Sequence, residues 1–312
     1  MTRRYLAYGS NLCASQMARR CPAAKRGEVV ELPGWRFVIN RRGVATLLPE
    51  PGACAAGLVW HLTTVCEAAL DRYEGVAQGL YRREEVEAGG APALVYLAAE
   101  TRPGMPRPGY LEGILAAAEA LGLTEDRRAE IAAWARPVAP WLVAEVLAGY
   151  RLEIDGIHGP EHWLRVRANG LALAARTPGA DAAAIELFAL LHDCRRQDDG
   201  TDPGHGERAA AHARALARDG VLRLDAKRLD LLATACARHE HGEVTDDPTI
   251  GCCWDADRLE LSRLGRRPIG RLLSTAAARD PDIQAEAWLR GQGRGLDAKA
   301  TAAWGLHAPV AA

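Results

Sequence analysis

The hydrophobic period of this chain changes once, near Pro137-Val138-Ala139-Pro140, and that change limits the folds open to it. Before it, short β-prone runs alternate with turn residues; after it, segments rich in Ala, Leu and Arg repeat at helical spacing. A mixed α/β domain followed by an all-helical domain satisfies both periods. At 312 residues the chain is long enough to give each its own core. The expected boundaries are 1–136 for the first domain, 137–150 for a linker, 151–290 for the helical domain and 291–312 for a Gly/Ala-rich tail. Trp288 and Trp304 imply that parts of the last stretch pack.

Composition excludes several function classes. Hydrophobic residues make up 48% and charged residues 25%, an ordinary globular balance. A net charge of −1 gives no sequence-wide attraction to nucleic acid or an anionic membrane, so DNA binding is not expected. No apolar run approaches the roughly 20 residues that span a bilayer, and Met1-Thr2-Arg3-Arg4 leads into a strand without a signal-peptide apolar stretch. The eight cysteines form no Cys-x-x-Cys pair and read as reduced thiols, which points to the cytoplasm. Oligomeric state is left open.

In the first half, the β-prone run Tyr5–Tyr8 empties into Gly9-Ser10-Asn11-Leu12. Such a turn aligns successive N–H groups and can hold a carboxylate or phosphate, although an ordinary strand-to-turn transition looks the same. Arg36–Asn40, Gly57–Leu62 and Ala93–Leu97 read as brief strands, divided by Pro33-Gly34, Pro49-Glu50-Pro51-Gly52 and Gly89-Gly90. Thr64 and Glu67 form a capping box for a helix through Ala68, Leu70 and Tyr73 that stops at Gly75. Glu74 then sits at the negative end of the helix dipole, which disfavours its ionised form and makes it a candidate general base. A solvated surface carboxylate is the competing reading.

Tyr8-Gly9-Ser10-Asn11-Leu12, Leu70-Asp71-Arg72-Tyr73-Glu74-Gly75-Val76, Tyr81-Arg82-Arg83 and Pro106-Arg107-Pro108-Gly109-Tyr110 together resemble the gamma-glutamylcyclotransferase-like family over residues 3–130. The resemblance implies a small mixed α/β barrel without a cofactor. It implies Glu74 as catalytic acid/base, and Tyr8, Gly9, Ser10, Asn11, Leu12, Tyr81 and Tyr110 around a γ-glutamyl substrate that cyclises to 5-oxoproline. Ala120–Asp126 departs from the family pattern by lacking a proline and tyrosine, which bears on substrate identity. The alternative is a non-catalytic module that senses a γ-glutamyl or amino-acid ligand and regulates the second domain.

In the second half, polar residues recur on apolar helical stripes. His162 falls with Val166 and Leu173, His192 with Ile185 and Phe188, His239 with Leu232 and Cys236, and Asp257 with Leu261 and Leu264. One such His is usually a satisfied core residue. Four helices each burying a His or Asp need partners, and a shared metal ion satisfies them all.

His162-Trp163-Leu164-Arg165-Val166, Leu190-Leu191-His192-Asp193 and Asp255-Ala256-Asp257-Arg258-Leu259 resemble the HD superfamily of metal-dependent phosphohydrolases, an all-α helical bundle, over residues 155–275. The metal set that carries over is His162, His192, Asp193 and Asp257, with Asp255 the weaker aspartate. His205 and His239 are candidates for a second ion, whereas His241 should point elsewhere. The resemblance implies one or more divalent ions (Mn, Mg, Fe, Co or Zn) and a phosphorylated small molecule or nucleotide as substrate. Arg195 and Arg196 are candidates to hold its phosphate, or else solvated helix-end charges. His158-Gly159-Pro160-Glu161-His162 spells the inverted zinc-protease signature. Pro160 belongs in the first turn of a helix, so the helix is expected to start there, with His158 in the preceding loop.

Overall fold

The structure is a computed structural model that describes residues 2–293 and 298–306. Contacts divide the chain into two compact units, Met1–Arg136 and Pro137–Ala312. Most of the tail expected at 291–312, namely 294–297 and 307–312, lies outside the described residues.

The first unit runs β1 (Arg3–Ala7), α1 (Ala14–Arg20), β2 (Lys25–Ile39), β3 (Ala45–Leu62), α2 (Thr64–Tyr73), β4 (Tyr81–Ala88), β5 (Ala91–Ala98), α3 (Tyr110–Ala120) and α4 (Glu125–Ala132). Its mixed sheet has the order β2-β3-β1-β5-β4. β1 pairs antiparallel with β3, Tyr5 opposite Trp60, and parallel with β5, Tyr5 opposite Leu94. As the middle strand it is covered on both faces, and Tyr5, Leu6 and Ala7 are all buried. Its C-terminal end therefore delivers the following turn into the centre of the unit.

Three sequence expectations need correction here. The separate strands read around Pro33-Gly34 and Pro49–Gly52 are parts of one long β2–β3 hairpin. The prolines punctuate without terminating because Pro33 lies on the edge strand β2 and Pro49 and Pro51 lie on the part of β3 beyond its pairing with β1, where a missing N–H costs no ladder bond on the outer side. A bulge between Pro33 and Trp35 absorbs the turn-like Gly34, at φ +81°. The cap of α2 is Thr63, whose side chain accepts from Cys66 N, and not Thr64. Finally, no ladder joins β2 to β4 among the described residues, so the sheet curls without closing into the expected barrel.

The second unit contains α5 (Pro140–Leu147), α6 (Pro160–Ala174), α7 (Ala182–Leu191), α8 (His205–Arg218), α9 (Ala226–Arg238), α10 (Pro248–Leu259), α11 (Pro281–Gly291) and α12 (Ala298–Ala303), with no strand among its described residues. Proline opens α5, α6, α10 and α11, where its fixed φ suits the first turn and its missing N–H costs nothing. The central element is α7. Asp181 caps it by accepting from Ala183 N and Ala184 N, and Ala184, Ile185 and every residue from Leu187 to Leu191 are buried. It packs against α6, α9 and α10, so its C-terminal end emerges in the middle of the bundle.

The stretch 137–150 is not a free linker. It carries α5, whose Leu142, Val143 and Val146 are buried and which contacts α7; flanking prolines obscured an apolar face too short to show a period. The stripe expected for Asp257 also differs. α10 ends at Leu259 and continues as a 3-10 turn, Glu260–Leu264, which leaves Leu264 exposed. Among the described residues no helix is long and apolar enough to cross a membrane.

Candidate functional site

At the end of β1, Gly9 leads into a 3-10 turn, Ser10–Leu12, closed by Leu12 N donating to Gly9 O at 2.9 Å. Trp60 Nε1 on β3 donates to Asn11 O at 3.1 Å and pins that turn to the sheet. Gly9 is tightly enclosed, since a Cβ there would lie 3.2 Å from both Ala45 Cβ and the Tyr110 hydroxyl. Across from the turn, α2 ends with Glu74 at its C-cap and Gly75 in the left-handed region at φ +65°.

The two meet through Asn11. Its Nδ2 donates to Glu74 Oε1 at 3.1 Å and contacts the Tyr5 hydroxyl at 2.8 Å, while its Oδ1 accepts from Arg20 Nη1 at 2.8 Å and Gln16 Nε2 at 3.3 Å. A buried amide with this many partners fixes the carboxylate's direction. Burial pushes Glu74 above the usual carboxylate range, opposed by Arg20, the Asn11 hydrogen bond and Arg42. Burial likewise raises Tyr8, Tyr81 and Tyr110, which stay neutral hydroxyls at ordinary pH.

These groups line a cavity of about 310 Å³. Tyr81 and Tyr110 clasp the Ala45 peptide from two sides: the Tyr81 hydroxyl donates to Ala45 O at 3.2 Å, and Ala45 N donates to the Tyr110 oxygen at 3.1 Å. Tyr8, Gly9, Ser10, Asn11, Glu74, Tyr81 and Tyr110 all face this space. Leu12 does not: its side chain is buried and absent from the lining, and it serves the core. Reading the sequence missed Arg20, Arg42 and Arg107, which also line the cavity and come from three separate segments. No local pattern marks them.

In the second unit the polar residues converge at the end of α7. His162 Nε2 lies 3.1 Å from His192 Nε2, 3.5 Å from Asp193 Oδ2 and 3.6 Å from Asp257 Oδ1. His192 Nε2 lies 3.7 Å and 3.8 Å from the same two oxygens. Donors bound about 2.0–2.1 Å from one ion would stand about 3.4 Å apart, so His162, His192 and Asp193 have the spacing of ligands to a single cation, with Asp257 close to both imidazoles. The other oxygen, Asp193 Oδ1, faces His205 Nε2 at 3.2 Å and His239 Nε2 at 3.5 Å, with those two nitrogens 2.9 Å apart.

The ring orientations have a cause. Each Nδ1 is turned toward an acceptor: His162 toward Glu260 Oε2 at 3.2 Å, His192 toward Phe188 O at 3.2 Å, His205 toward Asp202 O at 2.9 Å and His239 toward Cys236 O at 2.7 Å. With the Nδ1 atoms facing these acceptors, the Nε2 atoms face one another. Burial pushes His192 down to about 3. Burial alone would lower His162 too, yet Asp193 and Glu260 hold it above its ordinary value. Buried Asp193 Oδ1 has no hydrogen-bond partner. The donor set therefore fits a divalent ion.

Arg196 complicates the second pocket. It is buried, with Nη1 3.1 Å from His205 Nε2 and 3.5 Å from Asp193 Oδ1, and so already brings positive charge to that side. Arg195 turns away to Gly149 O and His212. Asp255 is not at the centre, because its carboxylate accepts from Ser274 N at 2.8 Å, Thr275 N at 2.7 Å and Thr275 Oγ1 at 2.9 Å. His241 is half exposed beside Glu243. α6 starts at Pro160, and His158 stands in the preceding loop with Nδ1 2.8 Å from Asp199 and its ring edge toward His162. Glu260 was missed by reading the sequence; it lies just past the end of α10, where the helical period no longer reports facing.

Comparison with known proteins bears on the first unit. Residues 5–113 match the family model for gamma-glutamyl cyclotransferase, AIG2-like proteins. Gamma-glutamylcyclotransferase of Bos taurus is 32% identical over 92 residues, which is 26% of this chain and 49% of that protein. The Mus musculus gamma-glutamylcyclotransferase is 27% identical over 144 residues, 41% of this chain and 77% of that protein. The chain thus spans about half the length of the bovine relative. A solved structure described as a gamma-glutamyl cyclotransferase aligns at 26% identity and a TM-score of 0.40, covering 42% of this chain and 86% of that one.

Proposed function

We propose that the first unit cyclises a γ-glutamyl amine to 5-oxoproline and the free amine. The observation that carries this is Glu74: a largely buried carboxylate, raised above its usual range, aimed by Asn11 into a polar cavity beside the Tyr8–Asn11 turn. In its ionised form Glu74 removes a proton from the substrate's α-ammonium. The amine nitrogen then bonds to the γ-carbonyl carbon of the same molecule, giving a tetrahedral adduct. The bond to the leaving nitrogen breaks as Glu74 returns the proton to it, and the ring nitrogen gives up its second proton, again by way of Glu74, to the departing amine, which leaves as an ammonium. Ring closure is intramolecular, so holding the γ-glutamyl chain folded does much of the catalytic work. Tyr81 and Tyr110, neutral and braced on Ala45, wall the chain in, and the turn faces the α-carboxylate. Release of 5-oxoproline from γ-glutamyl dipeptides, lost in Glu74→Gln with the fold retained, tests the reading.

The second unit is proposed to be an HD-type metal-dependent phosphohydrolase. His162, His192, Asp193 and Asp257 would hold a divalent ion, and Asp193, His205 and His239 would hold a second. A bound ion would supply Lewis-acid activation of water and neutralise phosphoryl charge. The chain's own part is to aim four imidazoles with Nδ1 acceptors, to leave Asp257 partly open to solvent, and to add Arg196 as a fixed positive charge. Metal content of the purified protein, and its loss in His192→Ala, tests this site. Eight free thiols suit a cytoplasmic setting.

A further inference from the structure

The charge of the first cavity does not balance. Its walls carry three guanidinium groups, Arg20, Arg42 and Arg107, against one carboxylate, Glu74. Elsewhere in the same unit arginines hold acids: Arg3 pairs with Glu67 and Glu85, Arg4 with Glu28, Arg83 with Asp71 and Glu67, and Arg127 with Glu130. The three in the cavity form no ion pair with a carboxylate among the described residues. They are held by neutral groups instead. Arg20 donates to Asn11 Oδ1 and lies 5.0 Å over the Tyr73 ring, Arg42 donates to Leu80 O and lies 5.6 Å over Tyr81, and Arg107 Nε donates to Arg42 O at 2.8 Å. Arginines braced in this way, with free N–H groups, suit the geometry of incoming carboxylates.

With Glu74 ionised the lining carries two surplus positive charges. A γ-glutamyl head group brings one ammonium and one carboxylate and changes nothing. Compensation must then come from the other half of the substrate. We propose that Arg20, Arg42 and Arg107 select γ-glutamyl donors whose leaving amine is an acidic amino acid, bearing two carboxylates, over neutral or cationic amines. This rests on the cyclisation reading of the same cavity. A leaving half with one carboxylate leaves the cavity with surplus charge, and a cationic one faces three guanidiniums with no acid but the base itself.

The test compares γ-glutamyl-glutamate, γ-glutamyl-alanine and γ-glutamyl-putrescine on the full chain, near 0.01 M salt, where charges are largely screened only beyond about 30 Å. kcat/KM should fall at least about tenfold at each step in that order, and the spread should narrow as salt rises. Arg42→Ala and Arg107→Ala should each narrow the ratio between the glutamate and alanine substrates. Equal or reversed values overturn charge selection while leaving cyclisation standing. Calorimetric titration of the three compounds into Glu74→Gln reads selection without chemistry. Binding in the same order supports it even if no 5-oxoproline ever forms, and binding without order, or no binding, overturns it.

Discussion

Gly9→Ala isolates the packing of the turn from its chemistry. The added Cβ would sit 3.2 Å from Ala45 Cβ and 3.2 Å from the Tyr110 hydroxyl, whereas carbon contacts settle near 3.5–4.0 Å. Neither neighbour retreats easily. Ala45 is held in the β2–β3 ladder opposite Ile39, and its peptide is clasped by Tyr81 and Tyr110. Overpacking of this kind costs about 1–3 kcal/mol, of which the bond from Ala45 N to Tyr110, if broken, accounts for about 1 kcal/mol. The first unit's thermal transition should fall by about 3–10 °C. Because the displaced groups surround the reacting chain, kcat/KM should fall by about tenfold to a hundredfold, less than the loss in Glu74→Gln. Ala45→Gly in the same chain removes one of the two clashing atoms and should restore part of both losses. Melting curves and 5-oxoproline release measure the effects. An unchanged Gly9→Ala variant, or a double variant no better than the single one, would refute the packing argument.

Four further outcomes follow from the same geometry. Glu74 must be ionised to act, so cyclisation should fall as pH drops through a value above the ordinary carboxylate range, and Asn11→Ala, by removing a donor, should move that acid limb to higher pH. The raised value also means that the folded state holds this proton more tightly than the unfolded chain. Stability from that source is present at low pH and lost as pH rises through the folded value, so Glu74→Gln should melt higher than the parent at pH 7 and not below about pH 4. Asp257→Ala should lose bound metal. Asp255→Ala should keep the metal yet cost about 3–5 kcal/mol in denaturant unfolding, since three donors, two of them in buried bonds, lose their acceptor. Glu260→Gln should weaken metal retention about tenfold to a hundredfold in chelator competition, because His162 loses the group that orients it.

What the sequence disclosed was mainly local or periodic. Glu74 at the end of α2 is legible because a capping threonine, an apolar stripe and Gly75 bracket one helix, and a one-residue error in the cap, Thr63 for Thr64, does not move its end. His162, His192 and His239 are legible because they interrupt apolar stripes. Information carried by tertiary approach was not legible. Arg20, Arg42 and Arg107 converge from the end of α1, the β2–β3 turn and the segment before α3, and each alone looks like a surface charge. Asp255 and Asp257 share one motif, and only the backbone of Ser274 and Thr275 shows which is structural. The continuous β2–β3 hairpin was hidden by prolines that an edge strand tolerates, and α5 by its brevity.

The most direct measurement is chromatographic quantification of 5-oxoproline and free amine from γ-glutamyl-glutamate, with the parent protein and Glu74→Gln run side by side. The parent should release the two products in equal amounts, and the variant, folded by circular dichroism, should release neither while still binding the substrate. Binding without release by the parent would make the first unit a ligand-sensing module. Full release by the variant would remove Glu74 from the chemistry.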